Sequence, residues 1–204
     1  MNNIIAHRAM FNGQENTIKG IKYFEKLGIG VELDLRNGKN GIYMSHDPQE
    51  NGELFERACK LCINSKIIMV LHIKEIGVIK NTIKILKKYS IQNYLLFNTE
   101  ISNFSKTYNE YKIASYVNQK PNNPEQSILW CDETKKRWYD KEYISKLHEK
   151  NNILYAMSHE VINTKYTENE MVLEWKRLIQ LEMDYICTKY PEKLMEFVRR
   201  SDLN

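Results

Sequence analysis

The stretch VELDLRNGKNGIYMSHDP (31–48) alternates so regularly that spacing alone assigns its faces. Over 31–36 a two-residue period sends Val31, Leu33 and Leu35 one way and Glu32, Asp34 and Arg36 the other. NGKNG (37–41) has turn composition, and IYMS (42–45) reads as a return strand running into His46 and Asp47. Two carboxylates at i and i+2 project in parallel, which is costly unless a cation sits between them. Their oxygens suit Mg²⁺ or Ca²⁺. The alternative for Glu-x-Asp alone is an edge strand with a solvated polar face.

Outward from this stretch, short apolar runs alternate with segments of helical period. IIA (4–6) is a buried strand ending at His7 and Arg8, and TIKGIKYFEKL (17–27) is a helix stopped by Gly28. The spacing predicts further helices over 53–62, 78–89, 101–110, 140–150, 168–182 and 190–200. It predicts further strands over 67–73, 94–98, 112–117, 127–131, 153–158 and 185–188. NQKPNNPEQ (118–126) is too short and proline-rich for a helix, so one crossover is a loop. With the hairpin set aside these are eight βα units. They predict an α/β fold with a parallel sheet closed as a compact (β/α)₈ TIM barrel, one crossover helix missing. An open doubly wound sheet is the rival, but no glycine-rich phosphate loop follows the first strand.

With 204 residues, 42% hydrophobic and 27% charged, the chain reads as one globular domain over 1–204. The longest apolar run, IIMVL (67–71), is strand-sized, and MNNIIAHR does not resemble a signal peptide. Four cysteines make no disulfide framework, so a cytoplasmic protein is expected. Cys59 and Cys62 form a lone C-x-x-C that reads as buried helix positions rather than a zinc site. The net charge of +4 is spread among acidic residues, which argues against nucleic acid. No helix has the broad aromatic and leucine face of a membrane-surface segment.

In such a barrel, catalytic residues come from the C-terminal ends of the strands. Those ends carry His7 and Arg8, Glu32 and Asp34, His46 and Asp47, His72 and Lys74, and Thr188 and Lys189. Trp130 and Asp132 flank another strand end, where an aromatic can stack on a substrate and a carboxylate can bind a hydroxyl; for Trp130 a core position is the alternative. His159 follows the strand over 153–158 and lies near the same rim.

Taken together, IIAHRAMFNGQENT (4–17), VELDLR (31–36) and IYMSHDP (42–48) resemble the opening signature of the glycerophosphodiester phosphodiesterases, which share a barrel with the phosphatidylinositol-specific phospholipases C. The ordered set is His7-Arg8, Glu15-Asn16, Glu32-x-Asp34 and His46-Asp47. LHIK (71–74) resembles the family's strand-three motif, and CTKYPEKL (187–194) its closing Thr-Asp-x-Pro element. There are three departures. His72 stands where the family has a metal-binding glutamate, Lys189 stands where it has an aspartate, and the long insertion that commonly follows His-Asp is absent.

The resemblance implies a phosphodiester hydrolase. Glu32, Asp34 and His72 would hold one divalent ion, Mg²⁺, Mn²⁺ or Ca²⁺. Arg8 and Lys74 would bind the phosphate, and His7 and His46 would act as the acid–base pair. Glu15, Asn16, Trp130, Asp132 and His159 are candidates for the substrate pocket. The expected substrate is a small soluble glycerol or sugar phosphodiester. A lyase that stops at a cyclic phosphate and a non-catalytic barrel binding a phosphorylated partner are the alternatives. His72 either ligates the metal, favouring an ion that accepts nitrogen such as Mn²⁺, or is protonated and pairs with the two carboxylates.

Overall fold

A computed structural model describes residues 3–99, 104–108, 110–120, 127–133, 136–163 and 165–201. In chain order its elements are β1 (Asn3–Ala6), α1 (Ile18–Leu27), β2 (Gly30–Gly38), β3 (Gly41–Met44), β4 (Glu53–Leu54), α2 (Phe55–Leu61) and β5 (Met69–Ile73). These are followed by α3 (Ile79–Lys88), β6 (Tyr94–Phe97), α4 (Phe104–Thr107), β7 (Ser115–Val117) and β8 (Ile128–Cys131). The last elements are α5 (Lys141–Glu149), β9 (Ile153–Met157), α6 (Glu168–Gln180), β10 (Tyr185–Thr188) and α7 (Pro191–Ser201). The α/β alternation expected from sequence is present, with eight strands besides the β3–β4 excursion among the described residues. The proline-rich crossover falls largely on 121–126, and part of the helix expected over 101–110 falls on 101–103 and 109; both lie outside the described residues.

The chain divides into two compact units. In the first, Ala6–Lys112, the strand order is β4-β3-β2-β5-β6. β2 pairs parallel with β5, bringing Asp34 opposite His72, and antiparallel with β3 over 35–38. β2 is therefore flanked by strands on both edges, and Glu32 and Asp34 are buried. That overturns the solvated-edge alternative. Helix 53–62 also needs correction: it starts at Phe55, because Glu53 and Leu54 extend alongside Met44 and Tyr43 and the Glu53 carboxylate accepts a hydrogen bond from the Ile18 amide.

α1 begins where the Thr17 hydroxyl accepts from the Gly20 amide, and ends at Gly28 in the left-handed region (φ 72°). A Cβ on Gly20 would lie 2.0 Å from the Ala9 carbonyl oxygen, so only glycine lets this helix approach the loop after β1. Gly20→Ala is expected to cost about 1–3 kcal/mol, the range for overpacking, because the obstacle is backbone. Chemical denaturation measures it. An unchanged midpoint would mean the loop yields freely.

The second unit joins Ile113–Asn204 to Met1–Ile5, with strand order β1-β10-β9-β8-β7. β7 to β10 pair in parallel. Its core gathers Leu129, Leu154 and Ile186 from the strands with Trp175, Leu178 and Leu194 from α6 and α7. The Glu160 carboxylate accepts hydrogen bonds from the Ser158 and Thr188 hydroxyls, tying the ends of β9 and β10 together. Among the described residues, no helix is long and apolar enough to cross a membrane.

Candidate active site

The site in the first unit is built on β2 and β5. Alternation puts Glu32 and Asp34 on one face of β2, and parallel register sets His72 beside Asp34. The His72 ring stacks on Phe97 of β6 at 4.5 Å between centroids, which fixes its plane. Its Nδ1 lies 3.1 Å from Asp34 Oδ1 and 4.0 Å from Glu32 Oε1, while Nε2 is 3.5 Å from the Thr99 hydroxyl.

The loop after β1 closes over these carboxylates from the other end. The Arg8 amide donates to Glu32 Oε2 at 2.8 Å, and His7 Nε2 lies 3.9 Å from that oxygen. Arg8 Nη1 pairs with Glu15 at 3.0 Å, and its Nε is 3.4 Å from Asp34 Oδ2. Asn16 binds Asp34 twice: its Nδ2 donates to Oδ2 at 3.0 Å, and its Oδ1 accepts from the Asp34 amide at 2.9 Å. Arg8, Ala9, Asn12 and Asn16 all have positive φ, so the loop is held in left-handed conformations that its neighbours must stabilise. Nothing in the residue types at Arg8 and Ala9 announces this.

The two carboxylates sit in different electrostatic settings. Burial, with the Asp34 charge beside it, raises the Glu32 carboxyl well above its ordinary range, against the opposing pull of the Arg8 amide and of the Arg8 and Lys74 charges. Burial also pushes Asp34 up. It is outweighed by the bond and charge of His72, then by Asn16 and Arg8, so Asp34 stays ionised far into acid. Asp34 Oδ1 is buried and accepts no well-aligned hydrogen bond even so. A buried carboxylate oxygen 3.1 Å from an imidazole nitrogen, with one atom from each of Glu32, Asp34 and His72 within 4.8 Å of the others, is a donor set that fits a divalent cation.

The expected residues do not all gather equally. His7, Arg8, Glu15, Asn16, Glu32, Asp34 and His72 form one connected network, and the Lys74 charge reaches Glu32. His46 stands on the loop after β3, its side chain 34% exposed and its Nδ1 3.1 Å from Asp47 Oδ1. A cavity of about 430 Å³ is lined by Glu15 and Asn16 of the first loop and by Ser45, Asp47, Pro48 and Gln49 of the second. Cys59 and Cys62 are buried thiols, Cys62 pushed up to about 12 by burial, so this C-x-x-C is inert.

Trp130, Asp132 and His159 belong to the second unit. Trp130 is buried in β8, stacked on Tyr155, and Asp132 accepts from the Tyr116 hydroxyl at 2.7 Å. His159 Nδ1 lies 3.0 Å from the Tyr166 hydroxyl and its Nε2 3.8 Å from Glu174. Glu133 and Glu174, which the sequence reading missed, complete a second carboxylate–histidine trio. Here the charge is already met: Arg177 pairs with both glutamates and Arg137 with Glu174 at 2.6 Å. This trio is an ion network rather than a metal centre. No local pattern marks it, because its members come from three separate segments.

No family model matches the chain, and no curated protein matches it in sequence. Solved structures do. A glycerophosphodiester phosphodiesterase from Parabacteroides distasonis superposes with a TM-score of 0.75 at 13% identity, over 98% of each chain. A putative glycerophosphoryl diester phosphodiesterase from Agrobacterium tumefaciens superposes with a TM-score of 0.75 at 12% identity, over the full length of both. A second Parabacteroides distasonis enzyme gives 0.71 at 14% identity, over 98% of this chain and 86% of that one. Coverage this complete at identity this low is a likeness of fold, and the chain has the fold of the glycerophosphodiester phosphodiesterases.

Proposed function

We propose that the protein is a metal-dependent phosphodiesterase acting on a small soluble glycerol or sugar phosphodiester. The observation that carries this reading is the trio Glu32, Asp34 and His72, buried beneath the His7–Arg8 loop in a chain with this fold. Those three residues would hold one divalent cation, whose contribution is to neutralise phosphate charge as the transition state forms. Arg8 and Lys74 bind the remaining phosphate oxygens, Arg8 through its fork and Lys74 as a point charge. One of His7 and His46 takes the proton from the attacking hydroxyl, and the other gives a proton to the departing alcohol as its P–O bond breaks. Where the attacker is the substrate's own neighbouring hydroxyl, a cyclic phosphate forms; water then opens it with the two histidines exchanging roles. The polar cavity beside Glu15 and Asp47 suits a hydroxylated leaving group better than a lipid chain.

A panel of soluble phosphodiesters tests this, run with Mg²⁺, Mn²⁺ and Ca²⁺, with and without chelator, and read by phosphorus NMR. Turnover that chelator abolishes is expected. A cyclic product that persists would make the protein a lyase, and binding without turnover across the panel would make it a phosphate-ligand receptor. Within this reading His72 is a ligand, so His72→Ala should raise the metal concentration for half-maximal activity about 10–100-fold. His72→Glu should keep activity and shift preference from Mn²⁺ towards Mg²⁺ or Ca²⁺. Metal dependence unmoved in both variants would remove His72 from the set.

A further inference from the structure

We propose that Arg36 is a positioning residue that sets the place of His46, an inference that rests on reading His46 as one of the acid–base pair. β3 leaves the sheet at Met44, and the next backbone ties are the Ser45 amide to the Asp34 carbonyl and the Ser45 hydroxyl to the Asp47 carbonyl. His46 itself has no ladder partner. Its carbonyl oxygen instead accepts two hydrogen bonds from one guanidinium, Arg36 Nε at 3.0 Å and Nη2 at 2.7 Å. The third nitrogen, Nη1, is fixed by Glu75 Oε1 at 3.1 Å. The Arg36 side chain is only 13% exposed, so the fork is shielded from competing water.

A planar guanidinium that closes two N–H groups of one edge on one acceptor and its third nitrogen on a carboxylate has little freedom left. It fixes the peptide carrying the His46 ring, whereas the ring itself is one-third exposed and is touched by Asp47 of its own loop. The line of support runs from Glu75, just past β5 and next to Lys74, through Arg36 on β2, to the His46 carbonyl. Arg36 reaches neither phosphate nor proton in this scheme. It acts by keeping the histidine of the loop after β3 in one place.

The experiment is a double-mutant cycle on metal-loaded protein with the alkyl diester glycerophosphoglycerol as probe, alongside NMR of the histidine ring signals in metal-free protein. Arg36→Met is expected to lower kcat roughly 10²-fold, the cost of a misplacement of about 1 Å, with KM changed less than about threefold. In a His46→Ala background the same substitution should leave kcat unchanged, because its target has gone. Arg36→Lys keeps the charge beside Glu75 but not the fork, so it should fall between, and it replaces Arg36→Met in the cycle if that variant does not fold. Of the five histidine signals, that of His46 should shift or broaden in either variant while that of His148 stays. A slow His46→Ala enzyme with additive losses, or a His46 signal that does not move, overturns the role of Arg36 alone. Full activity in His46→Ala overturns the acid–base reading and this inference with it.

Discussion

Alanine at His7 or His46 is expected to lower kcat by about 10²–10⁴-fold, the usual contribution of a positioned acid or base. The two losses should differ in kind. His7 is largely buried, 3.9 Å from Glu32 and on the loop whose amide holds that carboxylate, so its ring is fixed beside the candidate cation site. His46 sits on the loop after β3, between Ser45 and Asp47 that line the polar cavity, with Asp47 against its Nδ1. Whichever histidine protonates the leaving alcohol becomes dispensable when that alcohol is a nitrophenol, whose anion departs unaided. Comparing each variant on a nitrophenyl diester and on an alkyl diester therefore assigns the roles. One variant should be nearly restored by the nitrophenyl substrate and the other should stay slow. Both variants turning over alkyl diesters at the wild-type rate would refute the pair.

Asp34→Asn should remove most activity while sparing the fold. The amide keeps the shape that Asn16 grips from two sides, but it removes a charge, the partner of His72 and a candidate ligand. If the cation supplies several kcal/mol of transition-state stabilisation, kcat/KM should fall on the order of 10³-fold. Metal-free protein should be less stable at neutral pH, because His72, Asn16 and Arg8 favour the Asp34 charge in the fold, a loss offset only in part as Glu32 is relieved of a neighbouring like charge. The thermal shift produced by Mn²⁺ should disappear, since an ion stabilises only the state it binds. A variant with wild-type Mn²⁺ stabilisation would exclude Asp34 as a ligand.

What could be read in advance follows physical range. β2 and β5 were legible because their period of two is local and their apolar faces are unbroken, so the pairing of Asp34 with His72 needed only parallel register. Glu15 and Asn16 were found by resemblance, and the structure supplies the reason: each contacts a residue of the site. The left-handed run through Arg8, Ala9 and Asn12 was not legible, since only contacts made after folding hold such residues at positive φ. β4 read as helix because its extended form depends on a partner strand and on the Ile18 amide. Arg36 looked like one more polar residue on an alternating strand. Its value lies in a carbonyl ten positions on, which no periodicity reveals.

The loop between β3 and β4 has its ends held on adjacent rungs: Met44 faces Glu53 and Tyr43 faces Leu54. Residues 47–51 between them are exposed. Lengthening a loop whose ends are already clamped costs little, each doubling adding about 0.6 kcal/mol of closure entropy. The pairing thus works as a socket, uncoupling the length of this segment from the strands that carry Glu32, Asp34 and His72. Under the proposed function, extra polypeptide spliced in after Asp47, at the wall of the cavity, would change which alcohol is admitted while leaving Glu32, Asp34 and His72 in place. For engineering, this makes residues 47–51 the place to graft a new specificity.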